Sequence, residues 1–151
     1  ATAPDSAWVD PAYDDTAWKL GTAQLGYGDG DERTVIGYGP SANAKYLTAW
    51  FRRGFTLGTL PPSLVVRLVA DDGALVRVNG VEVVRDNLPT GTITPTTLAA
   101  TNRSANQETA VRSFTVPVTA LRIGTNVITV EVHQDAPNSS DLSFDLSLAA
   151  S

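Results

Sequence analysis

Asp71-Asp72-Gly73-Ala74-Leu75-Val76-Arg77-Val78-Asn79-Gly80-Val81-Glu82-Val83-Val84 reads as a short strand between two turn signals. A two-residue type I′ hairpin needs positive φ at both central positions, and Asn79-Gly80 supplies the residues that tolerate it best. Asp72-Gly73 supplies a second turn signal and predicts a second hairpin. Between the turns, Ala74, Val76 and Val78 face one way and Leu75 and Arg77 the other, which is strand alternation rather than helix spacing. The stretch predicts antiparallel β structure.

The flanking sequence follows the same rule. After Pro61-Pro62, Leu64, Val66, Leu68 and Ala70 alternate with Val65, Arg67 and Val69. Residues 46–57 have Phe51, Arg53, Phe55 and Leu57 on one face and Trp50, Arg52 and Thr56 on the other. Further strands are predicted at 112–118 and 125–133, with Leu121-Arg122-Ile123-Gly124 as a turn between them. The last strand sets Leu142, Phe144, Leu146 and Leu148 against Ser143, Asp145 and Ser147. Residues 26–34 read as loop, 88–110 as a long, weakly structured connection, and Asp14–Trp18 as a capped turn. No stretch of about 12 residues carries an apolar period of 3.6. The chain is therefore expected to be all-β: a two-sheet antiparallel β-sandwich, with the long connections at 19–45 and 86–111 favouring a jelly roll. The expected core is Phe55, Leu68, Val78, Ile128, Val130, Phe144 and Leu146.

Composition narrows the class. Residues 1–151 are read as a single β-sandwich domain. Sixteen acidic against eleven basic side chains, net −5, exclude the basic footprint that duplex nucleic acid requires. No apolar run approaches the roughly 20 residues of a membrane helix, so membrane insertion is not expected. There is no Cys, hence no disulfide or thiol chemistry. There is no Met, and the chain opens on Ala1-Thr2-Ala3-Pro4, so it is expected to be a domain excised from a larger protein.

An ordered series of motifs carries a family resemblance. The series is Leu25-Gly26-Tyr27-Gly28-Asp29-Gly30, Lys45–Arg53, Asp71-Asp72-Gly73-Ala74 with Val78-Asn79-Gly80, and Asn87-Leu88-Pro89. It continues with Gly124-Thr125-Asn126-Val127-Ile128, then Glu131-Val132-His133-Gln134 with Ser139-Ser140-Asp141-Leu142. It resembles the galactose-binding-like jelly-roll modules appended to large secreted bacterial proteins, and it runs from about Trp8 to Leu148. The resemblance implies an eight- or nine-strand accessory module, secreted or at the cell surface. Such modules occur beside catalytic domains such as phosphoesterases and glycoside hydrolases, and beside adhesion and cell-surface modules. Many relatives of the fold bind carbohydrate, and many carry a structural calcium. Family members have an extra Trp-bearing strand ahead of the segment matching Trp8; here it is absent or reduced, which leaves a sheet edge open.

Candidate sites follow from donor chemistry. Asp29 and Asp31 place carboxylates one residue apart with Gly30 between them, and Asp141 ends a second oxygen-rich run; the three are the expected calcium ligands. Asp71-Asp72 also admits a metal reading, although carboxylates accepting backbone N–H groups at a hairpin fit better. Arg53 shares a face with Phe51 and Phe55, so it is expected to be paired, with Asp145 or Asp72 as partner. For sugar, Tyr27, Tyr38, Trp50, Trp8 and Tyr46 are candidate stacking platforms, with Arg52, Asn87 and Arg85 as polar partners. His133 and Glu131 share a strand face, but no nucleophile accompanies them, and His133 is expected to bond a neighbouring loop. No catalytic residues are assigned. The expected function is a non-catalytic accessory module that binds carbohydrate or a cell-surface glycan. The alternative is a structural or docking module that spaces a neighbouring domain of the parent protein.

Overall fold

Period-two alternation makes strands, and strands with one apolar face must pair it with another sheet. The computed structural model describes residues 2–151. Its nine strands are β1 (Leu25–Tyr27), β2 (Thr34–Val35), β3 (Thr48–Leu57), β4 (Leu64–Asp71), β5 (Gly73–Val78), β6 (Val81–Asp86), β7 (Arg112–Val116), β8 (Gly124–His133) and β9 (Leu142–Ala150). Helical structure among the described residues is limited to short 3-10 turns at Ser6–Val9, Ala105–Gln107 and Val118–Ala120. None is long and apolar enough to cross a membrane. The strands form a five-stranded sheet, β2-β1-β9-β4-β7, and a four-stranded sheet, β3-β8-β5-β6. All pairs are antiparallel except β1–β2. The chain is a β-sandwich, as the alternation predicts. Leu25–Tyr27 and Thr34–Val35 extend strand structure into the segment read as loop.

The two turn signals have different outcomes. Asn79 and Gly80 take φ of 50° and 81°, closing a two-residue hairpin in which Val78 faces Val81. Asp72-Gly73 does not close a hairpin. β4 pairs with β7 and β9, whereas β5 pairs with β6 and β8, so the chain passes at Asp72 from one sheet to the other. Gly73 serves a close approach instead: a Cβ there would stand 2.7 Å from the Asn87 carbonyl oxygen. Gly80→Val tests the true hairpin. A β-branched residue is strongly disfavoured at positive φ, and the expected loss is about 1–3 kcal/mol in urea unfolding. An unchanged midpoint would mean that the turn relaxes without cost.

The core lies between the sheets. Leu68, Val78, Ile128, Val130 and Phe144 are buried there as expected. Phe144 stacks on Phe51 across the interface, ring centroids 4.2 Å apart. Phe55 and Leu146 are only half-buried, packing at the margin of the core. Arg53 is exposed and not paired in the core. β3 is an edge strand, so a long side chain on its inner face reaches water past the rim of the sandwich. Its expected partners are otherwise placed: Asp145 is exposed, and Asp72 accepts the backbone N–H groups of Arg103 and Asp135 at 2.7 and 2.9 Å.

The outer face of the four-stranded sheet is covered as well. Thr129, Glu131 and His133 point away from the core yet are buried. The 88–102 segment lies against this face, with the Ala99 N–H donating to the Gln134 carbonyl and Thr97 O 2.8 Å from His133 Nδ1. The amino-terminal segment lies over β3, where Trp8 stacks on Trp18. Trp8 O, Asp10 O and Tyr13 O all accept from the Arg52 guanidinium.

Candidate functional site

Two features of the molecule could hold a ligand. The first is a depression of about 200 Å³ where β3 meets the 36–46 segment. Tyr27, Ile36, Tyr38, Tyr46, Trp50 and Leu142 supply most of its wall. The segment is built to present its rings. The Tyr46 N–H donates to the Tyr38 carbonyl, and the Lys45 N–H to Pro137. Gly39, at φ 103°, lies flat against the Tyr46 ring, where a Cβ would come within 3.1 Å of it. Lys45 Nζ donates to Ala42 and Ser139 carbonyls and sits 5.4 Å from the Tyr38 ring centroid. Tyr38 and Tyr46 are 37% and 41% exposed, which leaves ring surface free. Tyr27 is buried at the floor, edge-on to Tyr38 at 5.2 Å, and its hydroxyl accepts from Gln134 Nε2. Burial pushes the Tyr27 pKa up. Trp50 is half-buried and also walls a second depression with Tyr13 and Trp18.

The structure thus brings Tyr27, Tyr38, Tyr46 and Trp50 together. The other predicted sugar partners lie elsewhere and make intramolecular bonds. Arg52 is pinned by three carbonyls and by Asp15 at 3.0 Å, its side chain 4% exposed. Asn87, at φ 51°, donates to the Asp72 and Thr101 carbonyls and accepts from the Thr101 N–H and hydroxyl. Arg85 forks onto Glu82 and holds the Pro89 and Gly91 carbonyls. Trp8 is buried.

The second feature is acidic. Asp29, Glu108 and Asp141 each bring a carboxylate oxygen within 4.8 Å of the others. Asp31 does not join them. It groups with Asp29 and Glu32, but Glu32 accepts the N–H groups of Asp29 and Gly30 and so serves its own loop. Asp71 and Ser143 are ladder partners, so their side chains leave the sheet on one face. Ser143 Oγ donates to Asp29 there. Asp71 is 2% exposed, and its Oδ1 has no hydrogen-bond partner. Gln134 Nε2 donates to the Asp141 carbonyl, which leaves Gln134 Oε1 buried and unpartnered. Burial, with Asp72, Asp141 and Glu108 nearby, pushes the Asp71 pKa up to about 9. Burial and neighbouring carboxylates also raise Asp29 and Glu108.

His133, Glu131 and Arg77 form a buried network. Arg77 Nη1 bonds Glu131 Oε2 at 2.7 Å, and His133 Nε2 lies 3.9 Å from Glu131 Oε1. His133 Nδ1 donates to the Thr97 carbonyl, the loop contact expected for it. The ring is fully buried, which pushes its pKa down and keeps it out of reach of any substrate.

Sequence reasoning missed Glu108 as a member of the acidic cluster. Glu108 lies in the weakly structured connection and carries no local signal. Only the folded path of that connection brings it to Asp29 and Asp141.

Fold and site define a β-sandwich module with an aromatic depression at one edge and a carboxylate cluster on the outer face of its five-stranded sheet. No family model matches the chain, and no curated protein matches it. Solved structures do share the fold. A Bacteroides uniformis β-glucuronidase is similar at 15% identity and TM-score 0.56, over 95% of this chain and 16% of that one. A β-glucuronidase of glycoside hydrolase family 2 is similar at 19% identity and TM-score 0.52, over 87% of this chain and 12% of that one. An α-L-rhamnosidase from Aspergillus terreus is similar at 16% identity and TM-score 0.50, over 71% of this chain and 12% of that one. The chain therefore matches only a small part of each of these enzymes.

Proposed function

We propose that this chain is a non-catalytic accessory module of a larger carbohydrate-active protein acting outside the cell, and that it binds sugar at the Tyr38–Tyr46–Trp50 depression. The exposed rings of Tyr38 and Tyr46, held by backbone bonds in an open depression, carry this reading. A pyranose presents an apolar face that stacks on such rings. The fold shared with small parts of glycoside hydrolases supports an accessory role, and the galactose-binding-like character belongs to the same proposal. With Arg52 and Asn87 engaged elsewhere, few charged or amide groups face the depression, so affinity is expected to be weak, on the order of 10 µM to 1 mM. Such affinity becomes useful through multivalency in the parent protein. The net charge of −5 gives no general attraction to acidic glycans.

Calorimetric titration with neutral and acidic oligosaccharides tests this. Tyr46→Ala is expected to weaken binding at least about tenfold without lowering the melting temperature, because its ring is on the surface. If no oligosaccharide binds at millimolar concentration, the docking reading replaces this one. The free edge of β3 (Thr48–Leu57) is the feature that would then serve a neighbouring domain.

A further inference from the structure

We propose that His133 is a pH-sensitive latch: its neutral ring holds the 88–102 segment against the outer face of the four-stranded sheet, and protonation of the ring releases that segment. The ring is fully buried where sheet meets cover, and its ladder partners are Thr48 on β3 and Gly73 on β5. Thr48 Oγ1 donates to the Pro95 carbonyl at 2.7 Å, so it faces His133 Nδ1, 3.1 Å away, as an acceptor. Nδ1 also meets the Thr97 carbonyl at 2.8 Å, and a carbonyl can only accept. Nδ1 therefore carries the proton of the neutral ring, and that N–H ties the segment down. Gly73 lets the segment lie close beside the ring: a Cβ there would stand 3.0 Å from Leu88 Cδ2 and 3.2 Å from Ala99 Cβ. The Ala99 N–H completes the attachment by donating to the Gln134 carbonyl at 2.9 Å.

With Nδ1 protonated, only Nε2 can take up a further proton. Nε2 is buried and has no hydrogen-bond partner among the described residues. The carboxylate facing it is Glu131, whose Oε1 is 3.9 Å away, beyond hydrogen-bond reach. Glu131 Oε2 is already held by Arg77 Nη1 of β5 at 2.7 Å. Thr48 and Gly73 bring no charge, and residues 88–102 contain no Asp, Glu, Lys, Arg or His. A protonated ring would add a second buried cation to a carboxylate that the first already neutralises. Burial pushes the pKa of the ring down and Arg77 adds to this; the Thr97 carbonyl and Glu131 oppose it without cancelling it. An exposed imidazole titrates at about pH 6.5, so below that pH the open form binds more protons than the closed one. The latch is therefore intact above about pH 6.5 and weakens as the pH falls. Lifting a mostly exposed segment costs less than separating two sheets, so the segment opens by itself. Its ends stay attached through Arg85 on the Pro89 and Gly91 carbonyls and Asn87 on Thr101, neither of which titrates in this range. This inference does not depend on the sugar reading.

The test is hydrogen exchange of the 151-residue chain, followed by NMR at about pH 7.5 and about pH 5 and corrected for intrinsic rates. Protection of the Ala99 amide is expected to fall about tenfold or more between the two, while Val130 in the middle of β8 stays the slower exchanger at both. His133→Asn keeps an N–H donor but cannot titrate, so its Ala99 protection should change by less than about twofold. The carbon-bound protons of the ring give a second measurement on the unaltered chain: their titration midpoint should lie below about 6.5. A midpoint above that value would overturn the latch, because the closed form would then hold the proton more tightly. So would Ala99 protection that does not fall in the unaltered chain, or that falls equally in His133→Asn. Ala99 and Val130 exchanging at one rate would overturn the release of the segment in favour of global unfolding.

Discussion

Phe144→Ala is expected to lower the unfolding free energy by about 3–5 kcal/mol. Phe144 is 6% exposed and lies on β9, between β1 and β4, where its ladder partners are Leu25 and Ala70. Its ring stacks on Phe51 of the opposite sheet with a 22° angle between planes. Truncation removes the apolar surface that the ring withdraws from water. It also leaves a gap that neither sheet can close, because both are held by their ladders. For a chain of this size the melting temperature should fall by about 6–20 °C. Phe55→Ala should cost clearly less, since that ring is only half-buried at the rim. A melting temperature unchanged by Phe144→Ala would mean that the ring does not fill the inter-sheet space.

Asp86→Ala is expected to cost about 3–4 kcal/mol, the lower part of the range for breaking a buried ion pair. Asp86 ends β6, and its carboxylate receives Arg103 Nη1 and Nη2 at 2.8 Å each and Arg112 Nε at 3.0 Å. The side chains of Asp86, Arg103 and Arg112 are 12%, 12% and 21% exposed, so solvent screens the group only in part. Removing the carboxylate leaves two guanidiniums beside each other without their counter-charge. Both also hold the Ala70 carbonyl, one residue before the Asp71 position at which β4 ends. Arg112 belongs to the five-stranded sheet and Asp86 to the four-stranded one, so the group clamps the sheets together. Urea unfolding measures the effect. A loss below about 0.5 kcal/mol would class the group with ordinary surface pairs.

The strands, the Asn79-Gly80 hairpin and the two-sheet architecture were legible in the sequence. Each depends on local properties: alternation at period two, and the φ preferences of Asn and Gly. The aromatic depression was partly legible, because Tyr38, Tyr46 and Trp50 were recognisable as ring platforms. Their convergence, and the engagement of Arg52 by the amino-terminal carbonyls, were not. Both require the amino-terminal segment and the 36–46 segment to fold onto β3.

Tertiary structure alone decided the points at which residues far apart in sequence meet. Asp72-Gly73 carries a hairpin signal, yet β4 and β5 lie in different sheets because β9 and β8 are their preferred partners. Arg53 lies on the apolar face of its strand, yet it reaches water because β3 is an edge. Asp29 and Asp141 were identified as oxygen donors, but Glu108 joins them only through the packing of a connection that has no pattern of its own. Local preference acts over a few residues, whereas strand order and loop placement follow from burying the whole apolar surface at once. The sequence therefore determines which segments are strands, and the packing of the sheets decides which charges are buried, which are paired and which are left to bind something else.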